Sequence, residues 1–349
     1  MSVPGELPTQ NYRFRAMIGV GGIGSGMFFS LEGNSTLGRE ESRGGRILDH
    51  RDYCKLHIVS HYVSKLLNPD FCTVAIGKVG DDEVGHRLLD EMERVGINTR
   101  HVKKSPEDST LFSFCFNYPD GSGGNLTTNN SASSGVSSSL VKESEPDFRR
   151  HEGAGIALAL PEVPLEARKQ LLELGTEYGF FRVASFTSEE IVSARNSGLL
   201  KELDLLSINQ DEAEALASLG DDRVSLSDIV ARSVSALSGV NPKLQIILTA
   251  GSRGSWNWDG SQLQHVPAIP IELVSGAGAG DAYLAGTLVG LTASVSLSEA
   301  QQLGNIVAAM SATSPHTIHP GIDRDSLATF ARENGVQLIP ELNDLFGIY

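Results

Sequence analysis

The sequence predicts an α/β fold in which three layers, helix, sheet and helix, enclose a mainly parallel central sheet. Two observations lead to this prediction. Short apolar runs of strand length alternate with longer segments whose apolar residues recur at helical spacing. The chain of 349 residues is also 40% hydrophobic, enough to bury the large core that such a fold needs. We therefore expect a single domain over residues 1–349.

The N-terminal half opens with two pairs of strand and helix. Residues 15–20 read as a buried strand that runs into glycines, and residues 51–67 carry apolar side chains at helical spacing. Residues 71–76 form the next apolar run, and residues 81–95 follow as an amphipathic helix. Because parallel strands need a crossover between them, this order predicts a parallel sheet.

The C-terminal half continues the alternation to the end of the chain. Five apolar runs predict strands, at residues 155–160, 180–184, 205–208, 244–249 and 269–274. Helices are expected between the first three of them, over residues 164–174 and 188–200. Ser298 and Gln301 have the spacing of a capping box before the last helical pattern.

Charge and cysteine usage narrow the function classes. The net charge of −15 and the pI near 5.0 argue against a nucleic-acid partner, since phosphate backbones require clustered Lys and Arg. Three scattered cysteines argue against a disulfide framework or a zinc site and fit a reducing cytoplasm. The first residues lack a signal-peptide pattern, and no apolar stretch reaches about 18 residues, so no membrane partner is expected.

A glycine-rich run before an apolar helix is the most informative motif. Gly276, Gly278 and Gly280 precede Asp281, and the apolar residues 282–291 follow at once. Backbone amides in such a turn, together with the positive end of a helix, suit phosphate oxygens. A carboxylate beside a phosphate needs a task, and deprotonating an attacking hydroxyl is one. The structural alternative is a tight turn in which Asp281 is only a first-turn charge.

Two further motifs stand at the ends of predicted strands. Asn209 and Glu212 are three residues apart after the strand at 205–208, and such oxygen groups suit the water shell of Mg²⁺. They would equally serve as an N-cap and a first-turn acid. The turn at residues 249–254 follows another strand, at the edge where α/β sheets bind ligands. A hairpin built around Asp259 and Gly260 is the structural reading of that region.

These segments, in this order, resemble the PfkB-type carbohydrate kinases, a family with the ribokinase-like fold. Residues 75–85 and 95–99 are also similar to a stretch in the family's N-terminal half. The resemblance implies an ATP- and Mg²⁺-dependent kinase that phosphorylates a hydroxyl of a sugar or nucleoside, with Asp281 as the base. It further implies an anion hole at Gly278, Ala279 and Gly280, and Mg²⁺ organised through water by Asn209 and Glu212. The implied nucleotide site comprises Asn209, Thr249, Gly251, Ser252, Gly254 and Asn305.

The substrate half departs from the family pattern. Ser275 and Gly276 stand where the family usually has Asp-Thr, which puts a monovalent-cation site in doubt. The family's substrate-binding Asp falls near Gly26, and no acid occupies that stretch. Gly44 and Gly45 resemble the family's Gly-Gly pair, with Asp49 as the nearest polar candidate for substrate binding. A small β lid is expected over approximately residues 27–45 and 102–125, and a homodimer is an open alternative to a monomer.

Two other functions remain open at this stage. The missing substrate residues are compatible with a kinase-derived protein that binds a nucleotide or metabolite with little or no turnover. Residues 19–24 also fit the G-x-G-x-x-G pattern of an NAD-dependent oxidoreductase. That reading requires a helix directly after the glycines, and Asn34 and Gly38 would break one.

Overall fold

A computed structural model describes residues 12–67, 69–120, 123–217 and 224–346, apart from the side chains of residues 49, 50 and 346. The strands lie at β1 Ala16–Val20, β2 Gly24–Leu31, β3 Gly45–Tyr53, β4 Cys72–Gly80, β5 Ile97–Ser105, β6 Leu111–Asn117, β7 Gly123–Thr127, β8 Gly155–Ala159, β9 Phe181–Ala184, β10 Leu205–Asn209, β11 Gln245–Thr249, β12 Ser255–Trp258 and β13 Leu263–Val266.

The helices are interleaved with these strands. They lie at α1 Lys55–Leu67, α2 Glu83–Arg94, α3 Ser138–Lys142, α4 Glu145–Arg150, α5 Leu165–Glu177, α6 Ser188–Asn196, α7 Gln210–Ala217, α8 Leu226–Val240, α9 Ala279–Thr292, α10 Leu297–Ser311, α11 Arg324–Glu333 and α12 Pro340–Phe346. Among the helices that the structure describes, none is long and apolar enough to cross a membrane.

The large sheet has nine strands within the described residues, in the order β13, β12, β11, β10, β9, β8, β1, β4, β5. The seven strands from β11 to β5 pair in parallel, whereas β12 and β13 add an antiparallel ribbon at one edge. This ribbon is the hairpin expected around Asp259 and Gly260. The carboxyl ends of the parallel strands therefore share one edge of the sheet, where ligand sites of such folds lie.

Helices cover both faces of the large sheet. Along β1, Met17 packs into the cluster formed with α1, α9 and α10, whereas Ile18 packs into the cluster formed with α5, α6 and α8. The alternation follows from the two-residue period of a strand, and both faces are buried because the sheet is parallel. The three-layer α/β/α architecture predicted from the sequence is confirmed.

The chain passes from the large sheet into a second, smaller sheet directly after β1. Its four strands have the order β3, β2, β6, β7, with β2 and β6 parallel and the other pairs antiparallel. The strands cover only parts of the two segments predicted for a lid: β2 and β3 span Gly24 to Tyr53 around the first segment, and β6 and β7 lie at 111–117 and 123–127 in the second. Residues 102–105 of the second segment belong instead to β5 in the large sheet.

Three local predictions are wrong. The helix expected from residue 51 begins only at Lys55, because residues 51–53 end β3. No strand forms over residues 269–274, where Pro267 and Pro270 remove backbone donors and Leu273 is exposed. The capping box of α10 is made by Ser296 and Glu299, not by Ser298 and Gln301. Gln301 is instead fully buried, and its side chain donates to the hydroxyl of Ser255 at 2.8 Å.

Candidate active site

The glycine run forms the turn that leads into α9. Gly278 caps the helix with φ +76°, and an added Cβ would lie 2.5 Å from the carbonyl oxygen of Thr317. Gly276 and Gly280 are different, because an added Cβ would meet nothing within 4 Å at Gly276 and only Thr249 Oγ1 at 3.7 Å at Gly280. The fold therefore requires glycine at position 278, while the other two leave space that a ligand could occupy.

The first turn of α9 carries the remaining residues of the predicted anion hole. The amide of Ala279 donates to the carbonyl of Gly276 at 3.2 Å. The amide of Gly280 belongs to the first residues of the helix, which have no intrahelical acceptor, and Gly280 is exposed. Gly280 is thus better placed than Ala279 to offer a donor to an anion.

Asp281 follows in the same turn and is largely buried. Its side chain is 17% exposed, and its Oδ1 lies 3.8 Å from Nζ of Lys55. Burial raises the pKa of Asp281 above its usual value, the ammonium of Lys55 opposes that rise, and the carboxylate of Asp52 adds to it. A carboxyl whose pKa is raised in this way is a stronger base once it is ionised.

Asn209 and Glu212 hold each other at the start of α7. The amide of Glu212 donates to Asn209 Oδ1 at 2.9 Å, and the backbone and side-chain nitrogens of Asn209 donate to the Glu212 carboxylate at 2.9 and 3.2 Å. The structural reading of this motif is therefore realised. Glu212 is also buried, its Oε1 lies 4.0 Å from Nζ of Lys55, and burial raises its pKa despite that cation.

A directly coordinated metal does not fit this donor set. Within the described residues there is no group of three or more His, Cys, Asp or Glu side chains that could hold a metal ion. The oxygens of Asn209 and Glu212 already accept hydrogen bonds from each other's backbone. They fit Mg²⁺ only as partners of its water shell, an arrangement that this ion favours when phosphates supply its direct ligands.

The predicted nucleotide turn lies beside Asn209. Thr249 is the partner of Asn209 in the parallel pairing of β10 and β11. After Thr249 the chain makes a short 3₁₀ turn in which Gly251 and Gly254 have φ +56° and +85°, and Ser252 is exposed. Because Gly280 approaches Thr249, the three predicted motifs converge at one edge of the sheet.

Asn305 lies on α10 and contacts the segment that follows β13. It is partly buried on α10, and its side-chain nitrogen donates to the carbonyl of Pro267 at 3.0 Å. The nearby segment around Thr317 ties the site to the second sheet, because Thr317 Oγ1 accepts from the amide of Tyr53 at 3.1 Å. The side chain of Asn305 is therefore held by the backbone of the segment that follows β13.

The residues predicted for substrate binding lie at the start of β3 and along it. Gly44 is exposed, and Gly45 begins β3 beside Phe29, seven residues before Asp52. The backbone of Asp49 pairs with Phe28, and its side chain lies outside the described residues. The opposite end of β3 lies next to the site, and it carries Asp52.

The chain is also similar to known proteins. The model of the pfkB family carbohydrate kinases matches residues 59–324, which is most of the chain. The chain belongs to the pfkB family of carbohydrate kinases.

Individual relatives of this family member are distant. The ribokinase of Haemophilus influenzae is 23% identical over 240 residues, which cover 68% of this chain and 74% of that protein. The ribokinase structure from Giardia lamblia superposes with a TM-score of 0.74 at 17% identity, over 90% of this chain and 99% of that one. A protein described as ribokinase II from E. coli, in complex with ATP and Mg²⁺, has a TM-score of 0.70 at 15% identity. The superposition covers 92% of this chain and 100% of that one. These structures show that the fold is ribokinase-like.

The structure of this pfkB-family chain does not support the NAD-binding alternative. The G-x-G-x-x-G pattern of residues 19–24 ends where β2 begins, and β2 runs to Leu31 in the second sheet. A dinucleotide site needs a helix N-terminus at this point to receive the pyrophosphate. Because β2 follows the glycines, no helix N-terminus is present at this point.

Three charged residues of the site were missed from the sequence. They are Lys55, Asp52 and Glu162. The charges of Lys55 and Asp52 act on the pKa of Asp281, and the charge of Asp281 acts on the pKa values of Lys55 and Glu162, as expected for groups that lie close together. Glu162 follows β8, so its position after an apolar run was a usable signal. Lys55 and Asp52 lie inside a segment read as helical, where nothing distinguished them from surface charges.

Glu162 and Asp52 are carboxylates in unusual surroundings. Glu162 adopts φ +72°, and burial raises its pKa to about 7. Its Oε2 is buried without a hydrogen-bond partner in the part of the chain that the structure describes. Asp52 is 7% exposed, and its Oδ2 accepts from Ser113 Oγ at 2.7 Å and Cys115 Sγ at 2.9 Å.

Proposed function

We propose that the protein transfers the γ-phosphoryl group of ATP to a hydroxyl of a sugar or sugar-like molecule, with Asp281 as the general base. One observation carries the proposal. A buried carboxylate stands in the first turn of α9, after a glycine turn with open space and next to the ends of β10 and β11. This arrangement joins an anion-binding element to a base, which phosphoryl transfer to a hydroxyl requires.

The chemistry follows from the positions of the donors and acceptors. The acceptor hydroxyl would lie against Asp281, which takes its proton as the oxygen attacks the γ-phosphorus. The amides of Gly278 and Gly280 and the start of α9 would stabilise the charge on the transferred group, with Ala279 contributing once its turn hydrogen bond opens. Mg²⁺ bound with the nucleotide would neutralise phosphate charge, and Asn209 and Glu212 would hold its water shell.

The nucleotide would lie along the turn after β11. That turn contains Thr249, Gly251, Ser252 and Gly254, and Asn305 on α10 would complete the site. The left-handed backbone of the two glycines lets the chain approach a phosphate or ribose closely. Dependence on a monovalent cation is not part of the proposal, since Ser275 uses its hydroxyl to accept from the amide of Ala277.

The acceptor side is a polyhydroxyl site in this proposal. Asp52 and Glu162 are buried carboxylates close to the base, and carboxylate oxygens can accept hydrogen bonds from sugar hydroxyls. The second sheet, which carries Asp52, would cover the bound sugar and exclude water. The relatives named ribokinase support a sugar over other acceptors. A cytoplasmic location and a homodimer stay predictions.

The proposal is tested by a panel of sugars and nucleosides screened for ADP release. D-ribose, 2-deoxy-D-ribose, D-fructose and adenosine form a first panel. With the best acceptor, Asp281→Asn should lower kcat by about 10²–10⁴-fold while the Kd for ATP changes little. Asp90→Asn, an exposed change of the same kind on α2, is the control and should retain wild-type kcat.

Two outcomes would contradict the proposal. Wild-type turnover in Asp281→Asn would remove the assigned base. Tight ATP binding without turnover of any acceptor would favour the binding-protein alternative instead.

A further inference from the structure

Four buried polar side chains join the hairpin of β12 and β13 to helices α9 and α10. The hydroxyls of Ser255 and Tyr283 lie 2.9 Å apart, and the side-chain nitrogen of Gln301 donates to Ser255 Oγ at 2.8 Å. Asn257 donates in turn to Oε1 of Gln301. Each of these four residues, which we call the polar network, is at most 3% exposed. The network therefore lies inside the protein, out of contact with bulk water.

One end of the polar network holds the nucleotide turn, residues 249–254. Ser255 directly follows Gly254 and pairs with Thr249 across β11 and β12, so it stands where the turn begins and ends. The amide of Ala250 donates to the carbonyl of Gly254 at 2.9 Å and closes the turn just before Ser255. A displacement of Ser255 would therefore move the whole turn.

The other end of the polar network lies on the helix that carries the candidate base. Tyr283 follows Asp281 by two residues in α9. Residues two apart on a helix face different sides, so the hydroxyl of Tyr283 contacts the hairpin while the carboxylate of Asp281 lies near Lys55. The contact between Tyr283 and Ser255 thus ties the first turn of α9 to the nucleotide turn.

A purely stabilising role is the competing explanation, and the chemistry of the network weighs against it. Apolar side chains fill buried space without the desolvation cost that polar groups carry. Oδ1 of Asn257 is buried without a hydrogen-bond partner in the part of the chain that the structure describes, so part of that cost is not recovered. Hydrogen bonds also restrict the relative position of the elements they join more than apolar contacts do. A role in fixing geometry accounts for both features.

We propose that Tyr283 is a positioning residue for phosphoryl transfer, whose hydroxyl sets the spacing between the nucleotide turn and α9 through Ser255. The inference rests on the proposed function, in which the phosphates of ATP extend from that turn to the start of α9. An error in the spacing moves the γ-phosphorus away from the acceptor oxygen at Asp281, and a misplacement of about 1 Å can cost about 10²-fold in rate. Tyr283 keeps its proton throughout, since burial raises the pKa of its hydroxyl.

Kinetics and calorimetry of Tyr283→Phe test the inference. The variant keeps the ring and loses only the hydroxyl. We expect kcat to fall about tenfold and the Kd for ATP with Mg²⁺ to rise about three- to tenfold, while the KM for the acceptor changes less than about twofold. Tyr178→Phe is the matched control, because it removes a hydroxyl that donates to Glu145 of α4 at 2.7 Å. It should retain the wild-type kcat and Kd, and thermal unfolding measures what each hydroxyl contributes to stability.

A double-mutant cycle tests whether Tyr283 acts through Ser255. Ser255→Ala should also lower kcat, and the double variant should lose little more than Ser255→Ala alone, because both changes remove the same contact. Additive losses in the double variant would reject this connection. If Tyr283→Phe does not fold, Ser255→Ala takes its place in the kinetic and calorimetric measurements.

The inference and the proposed function fail in different ways. Absence of turnover in the wild type with every acceptor would reject the proposed function, and the Kd for ATP would still measure the effect of Tyr283 on the nucleotide turn. A Tyr283→Phe variant with reduced thermal stability but wild-type kcat and Kd would reject the positioning role and leave the proposed function standing.

Discussion

Gly26 of β2 lies directly opposite Asp52 of β3 in the antiparallel pairing of the second sheet. Gly26 cannot carry a side chain, because an added Cβ would lie 2.1 Å from the carbonyl oxygen of Ser113. In the comparison with the family pattern, the substrate-binding acid would fall near Gly26, but this sequence has no acidic residue in that stretch. The neighbouring strand brings a carboxylate to the same region, and we therefore propose Asp52 as a substrate-binding residue, while the roles of Gly44, Gly45 and Asp49 stay predictions.

Replacement of Asp52 by Asn should weaken acceptor binding. The amide keeps the size of the side chain and an oxygen for Ser113, but it loses a charged acceptor for a sugar hydroxyl. Since hydrogen bonds to charged groups contribute about 1.5–3 kcal/mol, the KM for the acceptor should rise about 10–100-fold, with a smaller effect on the KM for ATP. Steady-state kinetics with the acceptor found in the panel provide the measurement.

The same variant should also move the pH profile. Asp52 raises the pKa of Asp281, so neutralising Asp52 lowers that pKa and the acidic limb of kcat shifts to lower pH. Asp90→Asn is the control, with no shift expected. An acidic limb that moved upward, or an unchanged KM for the acceptor, would contradict the role of Asp52.

Glu162 should make the protein less stable as the pH rises. Its pKa is raised from 4.5 to about 7, with burial as the main cause. The unfolded carboxyl loses its proton above pH 4.5 while the folded one keeps it to about pH 7, so ionisation favours the unfolded state across this window. The free energy of unfolding should fall by up to roughly 3 kcal/mol between these pH values from this group alone.

Denaturant unfolding at several pH values measures this dependence. Glu162→Gln should flatten the curve between pH 4.5 and 7, since Gln does not titrate. Glu333→Gln, an exposed change at the end of α11, is the control, and its free energy of unfolding should depend on pH with the same slope as that of the wild type. Equal slopes for Glu162→Gln and the wild type would show that Glu162 is not the group responsible.

Substitution of Gly278 by Ala should damage the turn before α9. The left-handed backbone costs an L-residue about 1–2 kcal/mol, and the clash with the Thr317 carbonyl adds to it. We expect a lower free energy of unfolding and weaker ATP binding, measured by denaturant unfolding and calorimetry. Gly276→Ala has open space for its Cβ and should keep wild-type stability, so an equal loss in both variants would refute this explanation.

Ser296, not Ser298, should stabilise α10. Ser296 Oγ accepts from the amide of Glu299, and the Glu299 carboxylate accepts from the amide of Ser296 at 2.8 Å. Ser296→Ala should therefore lower the free energy of unfolding by about 1 kcal/mol. Ser298→Ala removes only a contact with the side chain of Gln264 and should cost less. Denaturant unfolding measures the free energy of unfolding of both variants. A larger loss in Ser298→Ala than in Ser296→Ala would instead support the capping box predicted from the sequence.

Patterns among residues that are close in the chain were sufficient to predict most strands of the parallel sheet and the glycine turn. Apolar periodicity identified the strands of the parallel sheet from β1 to β11, apart from β5, because burial on both faces leaves a plain run of apolar residues. The glycine run and Asp281 were identified because consecutive residues form that turn. The failed strand at 269–274 is apolar in the same way, but its prolines exclude it from a sheet.

The sequence by itself determined the class of fold, the family and the phosphate-binding turn, since each depends on residues that are neighbours in the chain. Only the tertiary structure decided that Lys55 lies between Asp281 and Glu212, and that Asp52 stands opposite Gly26. Lys55 and Asp281 are far apart in the chain, and Asp52 reaches the site through the strand register. Such contacts follow from how strands pair and helices pack, which no local spacing of residues specifies.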